Sequence, residues 1–159
     1  MQEDQYTKEF EIRWGDIDAN RHVTNIAYSE YFVHTRFSFL RANNLDQKWF
    51  DKNKLGPAVL HDEIFYLKEI SPDEKVKVNI MLDGRTEDYK VTRFAQILYN
   101  GKGELASYCL TVFAWMDLEK RKIAVPPQNI IDAMNTLRPT KTFEILDRNS
   151  VPTWKIPEE

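Results

Sequence analysis

Residues 25–45, NIAYSEYFVHTRFSFLRANNL, form the one long stretch in which apolar positions recur every three to four residues, and strand-like alternation surrounds it. Tyr28, Tyr31, Phe32, Thr35 and Phe39 make the stripe, and Val33, Phe37 and Leu40 widen it. A stripe that broad belongs to a helix covered by its neighbours on most sides. Thr24 or Asn25 suits the N-cap, and Asn43 and Asn44 are stop signals. Such a helix needs a large surface wrapped around it, and the rest of the chain must supply one.

The remaining segments read mostly as strands. Residues 6–14 (YTKEFEIRW) alternate through Tyr6, Lys8, Phe10, Ile12 and Trp14. After a charged connection, 57–70 reads as a strand, and 75–82 alternates through Val76, Val78, Ile80 and Leu82 up to a turn signal at Asp83–Gly84. Residues 88–99 alternate again, NGKG at 100–103 is a strong turn, and 104–117 is a long apolar strand. The basic run EKRK (119–122) interrupts, and prolines open a short helix over 126–137. Residues 139–159 carry Pro139, Pro152 and Pro157 and read as an irregular arm with at most one short strand. Strands following one helix, joined by hairpins, imply an α+β fold: a five-to-six-stranded antiparallel sheet wrapped around one long central helix. The expected organisation is one domain, 1–138, with 139–159 as an arm of the same unit.

Composition narrows the function. At 159 residues with 42% apolar and 30% charged residues, the chain can build a core. A net charge of −3 leaves no basic footprint, so nucleic acid is not an expected partner. No run of eighteen apolar residues suggests a membrane span, and the polar N-terminus does not resemble a signal peptide. Cys109 is the only cysteine, which fits a reducing cytoplasm, and His22, His34 and His61 are too spread for a metal site.

The turn before the helix carries the polar chemistry: Asp16, Asp18, Asn20, His22 and Asn25 lie within ten residues. A helix N-terminus offers free N–H groups and a positive dipole end, a prepared seat for an oxyanion. An aspartate seven positions before Asn25 can reach the same space if the turn curls back. A carboxylate, with an ordinary pKa of about 3.9, is a weak base and suits an activated carbonyl. A thioester qualifies, because thiolate leaves readily.

WGDIDANRHVTNIAYSEYF, followed by GPAVLHDEIFYLKEI and a set of β-hairpins, resembles the hotdog-fold acyl-CoA thioesterases of the 4-hydroxybenzoyl-CoA thioesterase-like family over roughly residues 6–137. The resemblance implies that Asp18 is the catalytic carboxylate, attacking the thioester carbonyl or activating water. It implies that the amide of Asn25 polarises that carbonyl, and that Asn20 and His22 support the loop. It also implies a homodimer or homotetramer with acyl chains between subunits. No cofactor is implied beyond the coenzyme A of the substrate; the carrier is CoA or acyl carrier protein. Arg21 stands where glycine is commonest in the family, Thr24 where an asparagine is frequent, and Val33-His34-Thr35 where acidic residues often occur.

Each residue has a plainer reading too. Asp18 suits an Asx turn at a helix entry. Asp16 is expected to brace the loop through backbone N–H groups, and Glu30 to be a polar helix edge or subunit contact. Tyr28 is a candidate for the acyl pocket or simply core. Arg85, Lys90, Arg93 and the Lys120–Arg121–Lys122 cluster are candidates for the CoA phosphates or solvated turn charges. Two rival functions stand beside hydrolysis. A hotdog hydratase or dehydratase pairs an aspartate with a histidine five positions on and a proline in the turn; here His22 lies four after Asp18 and six after Asp16, with no proline. The other rival is a protein that binds acyl-CoA without turnover.

Overall fold

The computed structural model describes residues 5–147. Strand β1 (Thr7–Glu11) leads through a short 3-10 turn (Trp14–Asp16) and a polar loop into helix α1 (Asn25–Ala42). A short helix α2 (Gln47–Asn53) follows. Then come β2 (Leu55–Tyr66), β3 (Lys75–Arg85), β4 (Val91–Tyr99), β5 (Leu105–Asp117) and the two-residue β6 (Lys122–Ile123). Helix α3 (Gln128–Asn135) and strand β7 (Pro139–Ile145) complete the described chain; residues 148–159 of the expected arm lie outside it.

The sheet runs β1-β3-β4-β5-β2, antiparallel throughout this path, with β6 on β5 and β7 lying parallel to β3. The expected wrapped α+β arrangement is therefore present, with one strand more than anticipated. β2 and β3 are not a hairpin as expected: β2 pairs with β5 at the opposite edge. α1 meets the concave face through two apolar groups. Ala27, Tyr28, Tyr31 and Phe32 pack with Val76, Val78 and Leu98 towards its start. Phe39 and Leu40 pack with Ile80, Phe94, Phe113 and Trp115 towards its end. A polar belt divides them. Arg36 Nη1 donates to Gln96 Oε1 at 3.0 Å and to Thr111 Oγ1, Thr111 donates to Asp62, and Gln96 Nε2 reaches the Phe32 carbonyl at 3.0 Å. Val33 and Phe37, read as part of the buried stripe, are instead exposed and continue from Ile26 along the outer face of α1.

Three local expectations are corrected. Trp14 does not continue β1; the 3-10 turn throws its indole out, 97% exposed. The charged connection after α1 contains a helix, capped by the Asp46 side chain on the Trp49 N–H at 2.9 Å and closed by Lys54 in the left-handed region. Asp83–Gly84 is not a turn but a bulge inside β3. There Asp83 accepts from Arg93 Nε at 2.6 Å and Thr142 Oγ1 at 2.8 Å, anchoring β7. A Cβ on Gly84 would meet Leu146 Cδ2 at 2.8 Å, so glycine is what lets the chain after β7 lie this close.

Candidate active site

The loop between β1 and α1 is built in two layers. The inner layer is Asp16, only 3% exposed. It accepts from the Arg13 backbone N–H at 3.0 Å, from Arg13 Nη2 at 2.8 Å and from the Tyr31 hydroxyl at 2.6 Å. Burial alone would push this carboxyl up, but the Arg13 guanidinium and the Tyr31 hydroxyl outweigh it and hold it below the ordinary aspartate range. Burial and the bond to Asp16 push the Tyr31 hydroxyl up. Arg13 also pairs with Glu30 across the start of α1. Asp16 thus braces the loop, with its oxygens committed to it.

The outer layer is Asp18. Its backbone N–H donates to the His22 carbonyl at 2.9 Å, and its Oδ1 accepts from the N–H groups of Asn20 at 2.8 Å and His22 at 3.2 Å. This is an Asx-type turn, and it forces Arg21 to φ 62°, a left-handed conformation that glycine adopts without strain. Among the described residues Oδ2 of Asp18 has no hydrogen-bond donor. Asn20 is exposed and contributes its backbone N–H to the turn.

The loop ends where α1 begins. Thr24, not Asn25, is the N-cap: its hydroxyl accepts from the Ala27 N–H at 3.2 Å. The N–H groups of Asn25 and Ile26 have no acceptor among the described residues and open outward. Both residues line a groove of about 860 Å³ along the outer side of α1, with Phe10, Val33, Phe37, Ile64 and Tyr66 on its apolar wall and Glu11, Arg13, Glu30 and His34 among its polar side chains. A smaller hollow of about 310 Å³ adjoins it, sharing Asn25 and Tyr66 and adding Tyr28, Lys68 and Glu69. A polar hollow of about 560 Å³ then continues over Lys68 and Glu69 to His22, Asn100 and Lys102. Asp18 does not line these three spaces; it fixes the turn that carries His22.

Glu69 is the site residue that the sequence reading missed. Its Oε2 lies 2.5 Å from His22 Nε2. It follows β2, and the Val23 N–H bonded to the Ile70 carbonyl at 3.1 Å holds the two loops together. Neither spacing nor periodicity marks it. Tyr28 is buried, donates to the Lys68 carbonyl at 3.0 Å, and stacks edge-on against Tyr66. Burial first, then the charges of Glu69 and Glu74, push its hydroxyl up to about 12.

The structure does not bring the three expected CoA-binding cations to this place. Arg85 lies over the Tyr89 ring at 4.0 Å, Lys90 pairs with Asp88 at 3.1 Å, and Arg93 is held by Asp83 and Glu144. All three sit around the β3–β4 hairpin and line none of the spaces next to Asn25. Lys120 reaches Asp117 at 3.9 Å in the turn after β5.

A curled antiparallel sheet closed around one central helix, with a polar loop at the helix's N-terminus, is the hotdog fold. The chain belongs to the Thioesterase-like superfamily, whose family model matches residues 12–134. Among solved structures, it is similar to a hypothetical protein of Staphylococcus aureus determined in complex with CoA (19% identity, 96% of each chain covered, TM-score 0.78). It is also similar to a 1,4-dihydroxy-2-naphthoyl-CoA thioesterase from Synechocystis (16% identity, 82% of this chain and 96% of that one, TM-score 0.74). A DHNA-CoA thioesterase from Staphylococcus aureus is a third (20% identity, 83% and 87% covered, TM-score 0.72). No curated protein matches the chain at a significant level. Among the described residues, no helix is long and apolar enough to cross a membrane.

Proposed function

We propose that this chain hydrolyses an acyl-CoA thioester to a free carboxylic acid and coenzyme A. The observation that carries the reading is the junction at the start of α1. Two unpaired helix amides, Asn25 and Ile26, start α1 where an apolar groove adjoins a small hollow that leads on to a histidine–carboxylate pair. An acyl chain lies in the groove, the thioester carbonyl accepts from those amides, and the pantetheine arm leaves over the polar hollow.

In this reading water is the nucleophile. His22, oriented by Glu69, holds it and takes its proton, and the negative charge of Asp18, in the turn that carries His22, stabilises the positive charge that develops there. The water oxygen bonds to the carbonyl carbon, the developing oxyanion is stabilised at the helix end, and the C–S bond breaks. The thiolate leaves and takes up a proton. Direct attack by Asp18, the other route the resemblance implies, would need its carboxylate in a space that it does not line. Neither route needs a metal or a cofactor beyond the coenzyme A of the substrate. An acyl carrier protein is the alternative thiol carrier, and the cytoplasm the proposed compartment.

Association is part of the proposal. One edge of β2 pairs with β5; among the described residues its other edge has no strand beside it. The strand is 12 residues long and exposes Val59, Leu60, Phe65 and Tyr66. A long apolar edge of this kind invites pairing with another chain. Two copies joined along β2 would close the groove at Ile64 and Tyr66.

The decisive experiment is thiol release from a panel of acyl-CoAs by the wild type and by Asp18→Asn. The variant keeps an oxygen for the Asn20 and His22 amides but removes the charge. Turnover should fall by at least 10² with the fold intact. Near-normal hydrolysis by the variant would remove Asp18 from the chemistry. Absence of thiol release from every acyl-CoA and acyl carrier protein, with binding retained, would favour the non-catalytic reading. Loss of enoyl absorbance without thiol release would favour a hydratase.

A further inference from the structure

The groove along α1 does not end as it begins. Near the helix start its wall is Ile26, Val33 and Ile64. At its far end His34 lies between two phenylalanine rings, 5.7 Å from Phe10 and 6.4 Å from Phe37, centroid to centroid. Each ring carries a cation. Lys8 Nζ stands 5.7 Å from the Phe10 centroid, and the Arg41 guanidinium carbon 5.6 Å from that of Phe37. Neither Lys8 nor Arg41 pairs with a carboxylate among the described residues, in a chain whose net charge is negative. The two acids on the groove wall are otherwise engaged: Glu30 with Arg13, and Glu11 with Lys75 at 3.3 Å. The His34 imidazole feels this arrangement. Burial first, and then Lys8, Arg41 and Arg13, hold it below the ordinary histidine range.

We propose that the far end of the groove recognises a negatively charged group at the distal end of the acyl chain, so that the preferred substrate is the mono-thioester of a medium-chain dicarboxylic acid. The proposal rests on the thioesterase reading for its substrate and on charge complementarity for its specificity. A terminal carboxylate there accepts from His34, with Lys8 and Arg41, just beyond the groove's lining, supplying positive charge, while the methylene chain covers Ile26 and Val33. Length follows from the helix. Asn25, where the carbonyl sits, to His34 is nine residues, about 13.5 Å at 1.5 Å per residue. At roughly 1.3 Å of advance per carbon in a chain of ~1.5 Å bonds, that spans about ten carbons. A single aromatic ring attached to the thioester is too short to reach.

The test compares thiol release from decanoyl-CoA and from the mono-CoA thioester of decanedioic acid. The wild type should favour the second by at least tenfold in kcat/KM, chiefly through KM. The Lys8→Gln/Arg41→Gln pair should abolish the preference, and the charge-keeping Lys8→Arg/Arg41→Lys pair should retain it. Equal or better use of decanoyl-CoA by the wild type, or a preference that survives Lys8→Gln/Arg41→Gln, overturns the proposal. A second measurement does not depend on hydrolysis: calorimetric binding of decanedioic acid monoamide against decanamide, with the His34 imidazole followed by NMR. Binding of the acid alone, lost in Lys8→Gln/Arg41→Gln, supports the charged end even if no thioester is cleaved. Equal binding of both amides, or of neither, rejects it.

Discussion

His22 Nε2 lies 2.5 Å from Glu69 Oε2, joining the loop before α1 to the chain that leaves β2. Both groups are largely exposed, so the pair contributes little to stability. Its consequence is geometric: Glu69 fixes the direction in which the imidazole points. Glu69→Gln should lower kcat at least tenfold with KM and thermal midpoint nearly unchanged, measured by steady-state thiol release and thermal unfolding. A parallel loss of stability would mark the pair as structural.

The helix start separates two neighbouring residues. Thr24→Ala removes the side-chain acceptor for the Ala27 N–H and should cost about 1 kcal/mol. Asn25→Ala should be nearly neutral for stability and mild for activity, because residue 25 contributes its backbone amide. Denaturant titration of both variants checks the contrast. A reversed order would return the cap to Asn25, which the sequence alone left open.

Arg21 occupies the left-handed region at φ 62° within the turn that Asp18 closes. Arg21→Gly should relieve about 1 kcal/mol of backbone strain, partly offset by the greater freedom of glycine in the unfolded chain. The expected result is a modest rise in the unfolding midpoint. A fall would mean that the Arg21 side chain contributes more than its backbone costs.

Asp16 ties acid stability to the loop. Its folded pKa is depressed, so its contribution is complete above the ordinary aspartate value of about 3.9. It drains away as pH falls below that value towards the folded one. Asp16→Asn should be about 1–3 kcal/mol less stable at pH 7, with a buried network left short of an acceptor. The gap between wild type and variant should narrow as pH drops below 4. Denaturation midpoints across a pH series test this; a constant gap would deny the linkage.

The parts of the fold legible in the sequence are those whose own residues settle the pattern. α1 announces itself through Tyr28, Tyr31, Phe32 and Phe39, and β3 to β5 through clean alternation. α2 escaped because two aromatics among charges, QKWFDKN, show no period over so short a length. The Asp83–Gly84 pair reads locally as a turn, and only the approach of β7 makes it a bulge. Trp14 fits an alternation that Asp16 interrupts by pulling the backbone into a 3-10 turn. At the site, Asp16, Asp18, Asn20, His22 and Asn25 are visible because one loop carries them. Glu69 is not, since only the wrapping of the sheet brings it to His22. The cations near the β3–β4 hairpin lie apart from the site for the converse reason: charge is legible in a sequence, but its partner across the fold is not.

The Arg36 belt has a mechanical outcome. A rotation of α1 by one residue, about 100°, would swing the guanidinium away from Gln96 and Thr111 into the apolar layers on either side. An unpaired ion there would cost several kcal/mol. The helix is therefore keyed like a splined shaft. Its amide end and its outward stripe are indexed together, so that under the proposed function chain-length preference would drift through single side chains along the stripe without displacing the proposed carbonyl seat.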